Sequence, residues 1–400
     1  VSYMYSYPHK TAYRTLTPPV SLSPYLERLE GREASLYFHI PFCAHKCGYC
    51  NLFSQQCCDA ERISLYLHTM REQLSVAAQG LKFTSFAVGG GTPLILDEGQ
   101  LEELFCLAEL FGVHPSRVFT SVETSPEYTQ KSVLRQLRAR GVERLSMGVQ
   151  SFNETELKKL KRRPGLGTVV GALENIVEAG FPQFNLDLIY GIEGQTVESF
   201  MRSLNTALTY RPNELFIYPL YVRPGTRINV RSTDDIGYAI YKSARELLVG
   251  QGFVQTSMRR FVRRETTETE FSCGDEVMLS CGAGGRSYLG NLHYATPYAV
   301  RQQAIADEIG HYIRTTDFMT AANGFLLSTE EMQIRFIIKN LMYHRGVDLA
   351  EYEKRFGEKP DRNLFREFTD RGWIEETGRI VRLTEEGMAY SDYIGQAFIS

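Results

Sequence analysis

The feature that most constrains the fold is a regular alternation of short apolar runs and longer amphipathic runs between residues 35 and 221. Short apolar runs predict strands, and runs with apolar residues three or four positions apart predict helices. The predicted strands are Ser35–Ile40, Phe83–Val88, Phe119–Glu123, Arg144–Gly148, Gln183–Tyr190 and Glu214–Tyr221. The predicted helices are Glu61–Ala78, Gly99–Phe111, Pro126–Arg140, Thr168–Glu178 and Val197–Tyr210.

This succession of βα units predicts an α/β fold, because strands joined by right-handed helical crossovers run parallel in one sheet. The region is too short for a closed eight-stranded barrel. It therefore predicts either a (β/α)6 partial barrel of the TIM type or an open doubly wound sheet. In both architectures the loops after the strands form the functional face. We expect the site at the carboxyl ends of these strands.

The rest of the chain is less regular. The charged run Arg259–Glu270 predicts a solvated loop or helix face. Helical patterns at Thr329–Tyr343 and Asp361–Arg371 precede two short apolar runs around a turn at Glu376–Gly378, an arrangement that resembles a winged-helix module. The predicted domains are an N-terminal extension (1–34), a core barrel (35–230), a connecting region that completes the pocket (231–324) and a winged-helix-like C-terminal domain (325–400).

Composition narrows the classes of function. The 400 residues are 43% hydrophobic and 23% charged, with a formal net charge of −3, so the charge does not favour binding to nucleic acid or an anionic membrane. No run approaches the about 20 apolar residues of a membrane span, and residues 1–14 lack the apolar core of a signal peptide. We therefore expect a cytoplasmic protein. Eight cysteines are too few for a disulfide scaffold, and their clustering between residues 43 and 58 indicates metal or redox chemistry.

Three of these cysteines form a motif directly after the first predicted strand. Cys43, Cys47 and Cys50 have the spacing C-x3-C-x2-C, from which each thiolate can bind a different iron of a cubane. The fourth iron would keep open positions for the amino and carboxylate groups of S-adenosylmethionine. Electron transfer into the sulfonium would then release a 5′-deoxyadenosyl radical, chemistry that belongs to the cofactor. The motif therefore predicts a radical enzyme with a [4Fe–4S] cluster.

A zinc site is the alternative that this spacing leaves open. Structural zinc takes four protein ligands, and His39 or His45 would complete the three cysteines. The aromatic Tyr49 directly before the third cysteine, together with the strand–loop position of the motif, favours iron–sulfur. The vicinal pair Cys57 and Cys58 is interpreted as two free thiols near the loop.

Further polar residues stand at the ends of the following strands. Gly89-Gly90-Gly91-Thr92 closes the second strand, and Glu123 closes the third. Gln150 closes the fourth strand, Arg162 follows it, and Asp187 lies on the fifth. Carboxylates suit the amino group and the ribose hydroxyls of a nucleoside cofactor, and an arginine suits its carboxylate. Each residue alone is also typical of a helix N-cap or a surface ion pair, but their register with the cysteine motif favours a cofactor pocket.

In order along the chain, these stretches resemble one family. The sequences YFHIPFCAHKCGYC, GGGTP, SVETSP, RLSMGVQSFN and NLDLIYGIEGQT are similar to those of the radical S-adenosylmethionine family of oxygen-independent coproporphyrinogen III oxidases and their relatives, the HemN-like proteins. The similarity runs from Tyr37 to about Thr226 and extends more loosely through CGAGGRSYLGN to the C-terminus. It implies a partial barrel, a [4Fe–4S] cluster and S-adenosylmethionine, often with a second S-adenosylmethionine beside the first.

The resemblance also implies roles for particular residues. Cys43, Cys47 and Cys50 would bind the cluster, with Tyr37 and Tyr49 flanking the cofactor there. The polar side chains of the pocket would contact one or two cofactor molecules, and the glycine-rich turn would approach them with its backbone. The residues implied in cofactor binding are Tyr37, Tyr49, Gly90, Gly91, Thr92, Glu123, Gln150, Arg162, Asp187, Pro219 and Arg286.

Two departures from the family bear on the reaction. The oxidase has a further cysteine in a Cys-Gly-Cys ending, whereas Cys50 is followed here by Asn51-Leu52-Phe53. This ending is closer to haem chaperones, C-methyltransferases, cyclopropanases and anaerobic haem-degrading enzymes. The His-Asn-x-x-Tyr-Trp signature of the chaperones is absent, since the chain reads Gly290-Asn291-Leu292-His293-Tyr294.

The expected reaction is therefore hydrogen abstraction, or transfer of a methyl-derived carbon, on a tetrapyrrole or another planar substrate. The alternatives are a tetrapyrrole carrier with little turnover and a zinc-stabilised protein that binds DNA. Expected partners are the small-molecule substrate and an electron donor such as flavodoxin or ferredoxin, without nucleic acid. The aromatic and basic N-terminal stretch Tyr5–Arg14 suits a flap over a planar, carboxylate-bearing substrate, or else an arm packed on the outside of the barrel.

Overall fold

The computed structural model of the protein describes residues 7–57, 59–263 and 277–399. Its strands, numbered in chain order, are β1 (Arg14–Ser21), β2 (Glu33–Ile40), β3 (Phe42–Cys43), β4 (Gln55–Gln56), β5 (Lys82–Gly90), β6 (Phe119–Thr124), β7 (Arg144–Gln150), β8 (Gln183–Tyr190), β9 (Glu214–Pro219), β10 (Phe253–Gln255), β11 (Arg260–Arg263), β12 (Val277–Cys281), β13 (Arg286–Leu289), β14 (Leu292–Ala295), β15 (Thr320–Leu326), β16 (Val347–Asp348), β17 (Ile374–Thr377) and β18 (Ile380–Leu383).

The helices are α1 (Ser23–Arg28), α2 (Ala60–Ala77), α3 (Glu98–Leu110), α4 (Lys131–Arg140), α5 (Glu154–Lys159), α6 (Leu166–Ala179), α7 (Val197–Thr209), α8 (Asp234–Gly250), α9 (Gln302–Ile313), α10 (Thr329–Leu341), α11 (Leu349–Phe356), α12 (Asn363–Asp370), α13 (Glu385–Ala389) and α14 (Ser391–Ala397). Short 3-10 turns occur at Lys10–Ala12, Pro93–Ile95 and Pro126–Tyr128. Within the described ranges, no helix combines the length and hydropathy that crossing a membrane requires.

A 13-stranded mixed sheet dominates the fold, in the order β1-β15-β14-β13-β12-β2-β5-β6-β7-β8-β9-β11-β10. Its central strands, from β12 through β2 to β9, run parallel. Antiparallel strands extend both edges, with β13, β14, β15 and β1 on one side and β11 and β10 on the other. Because the order begins at β1 and ends at β10, the sheet is open. The predicted α/β class is confirmed, and β12 adds a parallel strand to the predicted six.

The parallel strands are apolar almost throughout because helices cover the sheet. In β2 every residue after Glu33 is buried except Tyr37, which is half-buried. On α2 the buried residues Ile63, Tyr66, Leu67, Met70 and Leu74 recur three or four positions apart, as expected for a helix with one face on the core. Burial of each such large side chain contributes about 1.5–3 kcal/mol, so the sheet and its helices form a rigid base for the loops above.

Between residues 35 and 221 the predicted elements match the observed ones closely. Pro126–Arg140 divides into a 3-10 turn and α4, β9 ends at Pro219, two residues early, and the short elements β3, β4 and α5 were not predicted. The less regular region from residue 224 to 324 contains, in its described part, α8, α9, strands β10 to β14 and the start of β15. The interpretation of Arg259–Glu270 as solvated is wrong for its first residues, because Arg259 and Arg260 are buried. Residues 264–270 lie outside the described part of the chain.

The predicted domain boundaries after residues 34 and 324 fall inside strands β2 and β15. Residue 324 lies inside β15, and this strand pairs with β1 from the predicted N-terminal extension. The N-terminal strand therefore belongs to the main sheet. After β15, helices α10 to α12 are followed by the hairpin β17–β18, to which β16 adds a third strand. This arrangement is a helical C-terminal domain with a small antiparallel sheet, as the winged-helix resemblance implied.

Two buried ion-pair networks join distant parts of the fold. At the start of β9, Glu214 accepts hydrogen bonds from Arg144 of β7, at 2.7 Å, and from Arg260 of β11. Burial raises the pKa of Glu214, but the two arginines outweigh it and hold that pKa below its usual value. The second network, here called the latch, consists of Tyr221, Arg259 and Asp392. Asp392 Oδ2 lies 2.6 Å from Tyr221 Oη and 2.5 Å from Arg259 Nη2, so it ties α14 to the loop after β9.

Candidate functional site

A cavity of about 400 Å³, here called the cofactor cavity, opens at the carboxyl ends of the parallel strands. This is the face of a βα fold at which loops after several strands meet. Of the predicted site residues, those that line it are Cys43, Cys47, Tyr49, Cys50, Gly90, Gly91, Thr92, Glu123, Gln150, Arg162, Asp187 and Pro219. Residues separated by up to 176 positions in the sequence are thereby brought to one site.

The cysteine loop leaves the end of β2 and is held by the short parallel pair β3 and β4. The Cys43 thiol is buried and accepts a hydrogen bond from Thr92 Oγ1 at 3.5 Å, while Cys50 Sγ lies 3.9 Å from Ser54 Oγ. Burial raises the pKa of the Cys43 thiol to about 11. Because a metal binds the thiolate, loading of this site requires loss of that proton.

Lys46, between the first two cysteines, was not singled out from the sequence. Its ammonium group donates hydrogen bonds to the carbonyl oxygens of Leu52 (3.1 Å), Ser54 (3.2 Å) and Val300 (3.1 Å). Burial lowers the pKa of this group. One lysine thus closes the cysteine loop on itself and joins it to the chain near residue 300. A lysine inside a cysteine motif is the signal that could have revealed this role.

Arg162 connects the cysteine loop to β7. Its Nη1 lies 3.3 Å from both Cys47 Sγ and Tyr49 Oη, and its Nη2 donates to the carbonyl oxygen of Gly148. Burial alone would lower the pKa of Arg162, but Tyr49 and Cys47 outweigh it and the net shift is upward. The guanidinium therefore stays charged beside the second cysteine, where it would balance negative charge on thiolates.

The glycine turn at the end of β5 packs tightly against the cysteine loop. A Cβ atom at Gly91 would lie 2.6 Å from the Phe42 carbonyl oxygen and 2.8 Å from Cys43 Sγ. Gly90 has a φ of +119°, a conformation that other residues adopt only with strain. Its N–H donates to Glu123 Oε2 at 3.2 Å. The turn is thus a backbone cradle beside a thiol and a carboxylate.

Glu123, Gln150 and Asp187 are further polar residues that line the cofactor cavity. The Glu123 side chain is exposed to the cavity, but the surrounding protein limits its hydration. This desolvation raises the pKa of Glu123. Burial also raises the pKa of Asp187, to about 7, although Asn185 Nδ2 donates to it at 2.8 Å. Gln150 has a φ of +75° at a register shift between β7 and β8. Such strain at a non-glycine residue costs about 1–3 kcal/mol and is typical of functional sites.

Tyr37 and Arg286 do not line the cofactor cavity. Both line an adjoining cavity of about 270 Å³, here called the arm cavity because His9, Lys10 and Tyr13 of the N-terminal stretch form part of its wall. The two cavities share Asn51, Leu52, Gly90, Glu123 and Arg223. The flap over a substrate stays a prediction, and the structure shows only that His9, Lys10 and Tyr13 of the stretch line this cavity; Tyr5 and Ser6 lie outside the described part.

The histidines that a zinc site would need contact the protein, through both ring nitrogens of His39 and through Nε2 of His45, whose Nδ1 has no hydrogen-bond partner among the described residues. His39 uses both ring nitrogens, with Nε2 2.9 Å from the Phe53 carbonyl oxygen and Nδ1 3.2 Å from Tyr37 Oη. His45 Nε2 lies 3.1 Å from the Lys161 carbonyl oxygen. In the described ranges, no three Cys, His, Asp or Glu side chains converge as around a single ion. Three thiols along one wall, with the backbone cradle beside them, fit a cubane better, since its ligands bind separate irons. Of the vicinal pair, Cys57 is a free thiol and Cys58 lies outside the described residues.

Replacement of Gly91 by alanine is expected to abolish iron incorporation during anaerobic reconstitution. The new methyl group would collide with the Phe42 backbone and with the Cys43 thiol, so one of these residues would have to move. Iron and sulfide per chain measure the effect. Gly167→Ala in α6 is the matched control, since a Cβ there meets nothing within 4 Å and alanine favours a helix. Normal iron content in Gly91→Ala would contradict the cradle.

Comparison with known proteins identifies the domains of this chain. The profile of the Radical SAM superfamily matches residues 37–207, and that of the HemN C-terminal domain matches residues 327–390. The heme chaperone HemW of Bacillus subtilis (strain 168) is 27% identical over 390 residues, covering 91% of this chain and 99% of that protein. The oxygen-independent coproporphyrinogen III oxidase of Escherichia coli (strain K12) is 26% identical, covering 88% of this chain and 82% of that protein.

The fold agrees as well. The structure of coproporphyrinogen III oxidase (HemN) from Escherichia coli, a radical SAM enzyme, superposes with a TM-score of 0.84 over 99% of this chain and 96% of that one, at 22% identity. Similarity at this identity concerns the fold, and it covers the barrel and the C-terminal domain together. Residues 37–207 therefore form a radical SAM domain and residues 327–390 a HemN C-terminal domain, in a chain homologous to HemW and HemN proteins, and the radical SAM domain implies a [4Fe–4S] cluster and S-adenosylmethionine.

Proposed function

We propose that the protein is a radical enzyme that binds its cluster through Cys43, Cys47 and Cys50, cleaves S-adenosylmethionine reductively, and acts on a tetrapyrrole or another planar substrate. The observation that carries the proposal is the cofactor cavity, in which three thiols face a glycine cradle and polar groups from successive strand ends. When bound, the cluster and S-adenosylmethionine would supply a 5′-deoxyadenosyl radical through electron transfer into the sulfonium.

The protein groups divide the binding task. Glu123 Oε2 already accepts the Gly90 N–H, so its other oxygen would accept from the ammonium group of S-adenosylmethionine. Asp187 Oδ1 accepts from Asn185, which leaves Oδ2 for a ribose hydroxyl. Arg162 holds Tyr49 and Cys47 in place and would balance the charge of the thiolates. Each assignment uses the hydrogen-bonding capacity that remains after internal partners are counted.

Product analysis tests the proposal. Anaerobically reconstituted protein, given dithionite and S-adenosylmethionine, is expected to form 5′-deoxyadenosine, with more formed when coproporphyrinogen or haem is the accepted substrate. Formation of S-adenosylhomocysteine instead would indicate methyl transfer. Absence of 5′-deoxyadenosine from protein with a full complement of iron would refute radical cleavage.

A haem carrier is the second candidate, favoured by the names of the relatives that match over most of their length. The HemW protein of Bacillus subtilis, a heme chaperone, matches over 99% of its own chain. A carrier would bind haem with fixed stoichiometry and would not consume S-adenosylmethionine in response to it. A haem titration that leaves the Soret absorbance unshifted would remove this candidate.

Affinity for S-adenosylmethionine is expected to rise as pH increases from about 6 to about 8. Burial raises the pKa of Asp187 to about 7, and a ribose hydroxyl makes a stronger hydrogen bond to the ionised carboxylate than to the neutral acid. Because one pH unit below the pKa leaves roughly a tenth of the groups ionised, the contribution of Asp187 should change about tenfold across this range. Calorimetric titrations at several pH values measure the slope. The Asp187→Asn variant should lose this part of the slope, and an unchanged slope would contradict the role of Asp187.

A further inference from the structure

A run of positive charge lies at the end of α5 and in the loop that follows it. Residues 158–163 read Lys-Lys-Leu-Lys-Arg-Arg, which is five cations in six positions without a carboxylate, although the formal net charge of the chain is −3. The guanidinium of Arg162 lies against Cys47. The other four cations are exposed and are here called the basic patch: Lys158, Lys159, Lys161 and Arg163.

The carboxylates around the basic patch do not balance its charge. Lys159 and Lys161 donate to carbonyl oxygens, at 2.6 and 2.8 Å, and none of the four cations forms an ion pair within the described part of the chain. Glu156 of α5 is buried and accepts hydrogen bonds from three buried side chains. With Glu154 and Glu193 as the exposed carboxylates of α5 and of the loop that contacts it, this surface keeps a net positive charge.

The basic patch is bonded directly to the loop that carries the cysteines. The Gly48 N–H donates to the Leu160 carbonyl oxygen at 2.9 Å, and His45 Nε2 lies 3.1 Å from the Lys161 carbonyl oxygen. A Cβ atom at Gly48 would lie 3.0 Å from both the Leu160 carbonyl oxygen and Lys161 Cβ, so the two segments are in close contact. Since Gly48 directly follows Cys47, one layer of backbone separates a proposed cluster ligand from this charged surface.

A further exposed cation borders the same loop. The Arg227 N–H donates to the Gly48 carbonyl oxygen at 2.8 Å, and the Arg227 guanidinium donates to the Lys46 carbonyl oxygen. Lys161 Nζ in turn donates to the Arg227 carbonyl oxygen at 2.8 Å. The positive surface therefore extends from α5 past the cysteine loop to residue 227.

We propose that the basic patch docks an acidic protein that delivers single electrons to the cluster. This inference rests on the proposed function and names the partner for its reductive step. In that step the donor loses one electron and the oxidised cluster gains it, and no bond forms or breaks at the contact. Charge complementarity speeds the encounter of two proteins and selects the partner. The position of the patch against the cysteine loop suits an electron carrier rather than a nucleic acid.

Binding of carriers with opposite charge tests the complementarity. Full-length, cluster-reconstituted protein is titrated calorimetrically under anaerobic conditions with oxidised flavodoxin, an acidic carrier, with cytochrome c, a basic carrier, and with a single-stranded DNA oligonucleotide. We expect flavodoxin to bind, and its affinity to fall at least about tenfold between about 10 and about 150 mM salt, because the Debye length shortens from about 30 to about 8 Å. Absence of flavodoxin binding with a Kd below about 1 mM, or tighter binding of cytochrome c or of the oligonucleotide, would overturn the proposal.

Paired substitutions assign the effect to the basic patch. Lys158→Gln/Lys159→Gln should weaken flavodoxin binding at low salt about tenfold, and Lys158→Arg/Lys159→Arg should retain it because the charge is kept. Lys354→Gln/Lys359→Gln is the matched control, since it removes the same charge from exposed lysines of the C-terminal domain. Lys354 stands in the last turn of α11, as Lys158 and Lys159 stand in the last turn of α5. Unchanged affinity in Lys158→Gln/Lys159→Gln, or an equal loss in the control, would overturn the proposal.

The source of electrons separates this proposal from the proposed function. Dithionite is a small reductant that needs no docking surface, so Lys158→Gln/Lys159→Gln should form 5′-deoxyadenosine from it as fast as the unaltered protein does. With reduced flavodoxin, the KM for flavodoxin should rise about tenfold in this variant. Protein that binds flavodoxin but forms no 5′-deoxyadenosine with dithionite would refute only the radical reaction. Cofactor cleavage without charge-dependent flavodoxin binding would refute only the docking surface.

Discussion

Replacement of any one of Cys43, Cys47 and Cys50 by alanine is expected to reduce both cluster content and 5′-deoxyadenosine formation to background. In a cubane held by three thiolates each ligand serves a different iron, so the remaining two cannot compensate. The three thiols lie along one wall of the cofactor cavity, and Arg162 and Thr92 contact two of them directly. Iron and sulfide analysis, absorbance near 400 nm and product quantification measure the outcome.

Cys57→Ala is the matched control for these variants. Cys57 belongs to the same loop region, since its N–H donates to the Cys43 carbonyl oxygen at 3.0 Å, but it does not line the cofactor cavity. This backbone contact survives the substitution, so cluster content and turnover should remain at the level of the unaltered protein. Retention of a full cluster in a Cys47→Ala or Cys50→Ala protein, or its loss in Cys57→Ala, would contradict the assignment of ligands.

Glu214→Gln is expected to lower the free energy of unfolding by about 3–5 kcal/mol, because it leaves buried arginine charge without its counter-charge. The side chain of Glu214 is 1% exposed, and its partners Arg260 and Arg144 are 2% and 14% exposed. The residue joins β7, β9 and β11 at the amino-terminal ends of the parallel strands. In βα folds this face contributes to stability, whereas the opposite face carries the functional site. Urea denaturation followed by circular dichroism measures the change.

Glu376→Gln provides the comparison for this prediction. Glu376 pairs with Arg362 through two hydrogen bonds of 2.5 and 3.0 Å, but both side chains are about half exposed, at 44% and 55%. An exposed pair contributes about 0–1 kcal/mol, so this variant should unfold almost as the unaltered protein does. A loss below about 1 kcal/mol in Glu214→Gln would show that the buried network does not hold the strands together.

The strands and motifs that could be predicted from the sequence are those marked by a pattern among neighbouring residues. Strands β2 and β5 to β9 coincide with short, largely buried segments of the sequence, and the clustered cysteines indicate metal or redox chemistry. The rule that loops after parallel strands meet at one edge was enough to bring Glu123, Asp187 and Arg162 to the same cavity. The individual hydrogen bonds of these side chains, such as those of Arg162 to Cys47 and Gly148, depend on side-chain conformations. The spacing of residues along the sequence does not determine these conformations.

The parts not predicted depend on distant partners. Arg259 and Arg260 belong to a charged run, and such runs are normally solvated. Here both arginines are buried because Asp392 pairs with Arg259 and Glu214 pairs with Arg260. Tyr37 and Arg286 were placed at the cofactor, whereas they line the arm cavity, which shares walls with the cofactor cavity through residues such as Asn51, Gly90 and Glu123. No local pattern around Lys10 indicates that its ammonium group would donate to the Asn51 carbonyl oxygen, at 3.2 Å.

The latch has a consequence for the order in which the protein is made. Tyr221 lies on the loop that closes the cofactor cavity after β9, and its partner Asp392 follows it by 171 residues. A ribosome adds about 5–20 residues per second, so roughly 10 to 30 seconds separate the synthesis of these two residues. All strands of the parallel core have left the ribosome before α14 exists to hold that loop. The nascent chain thus carries its cysteine motif long before the latch can form.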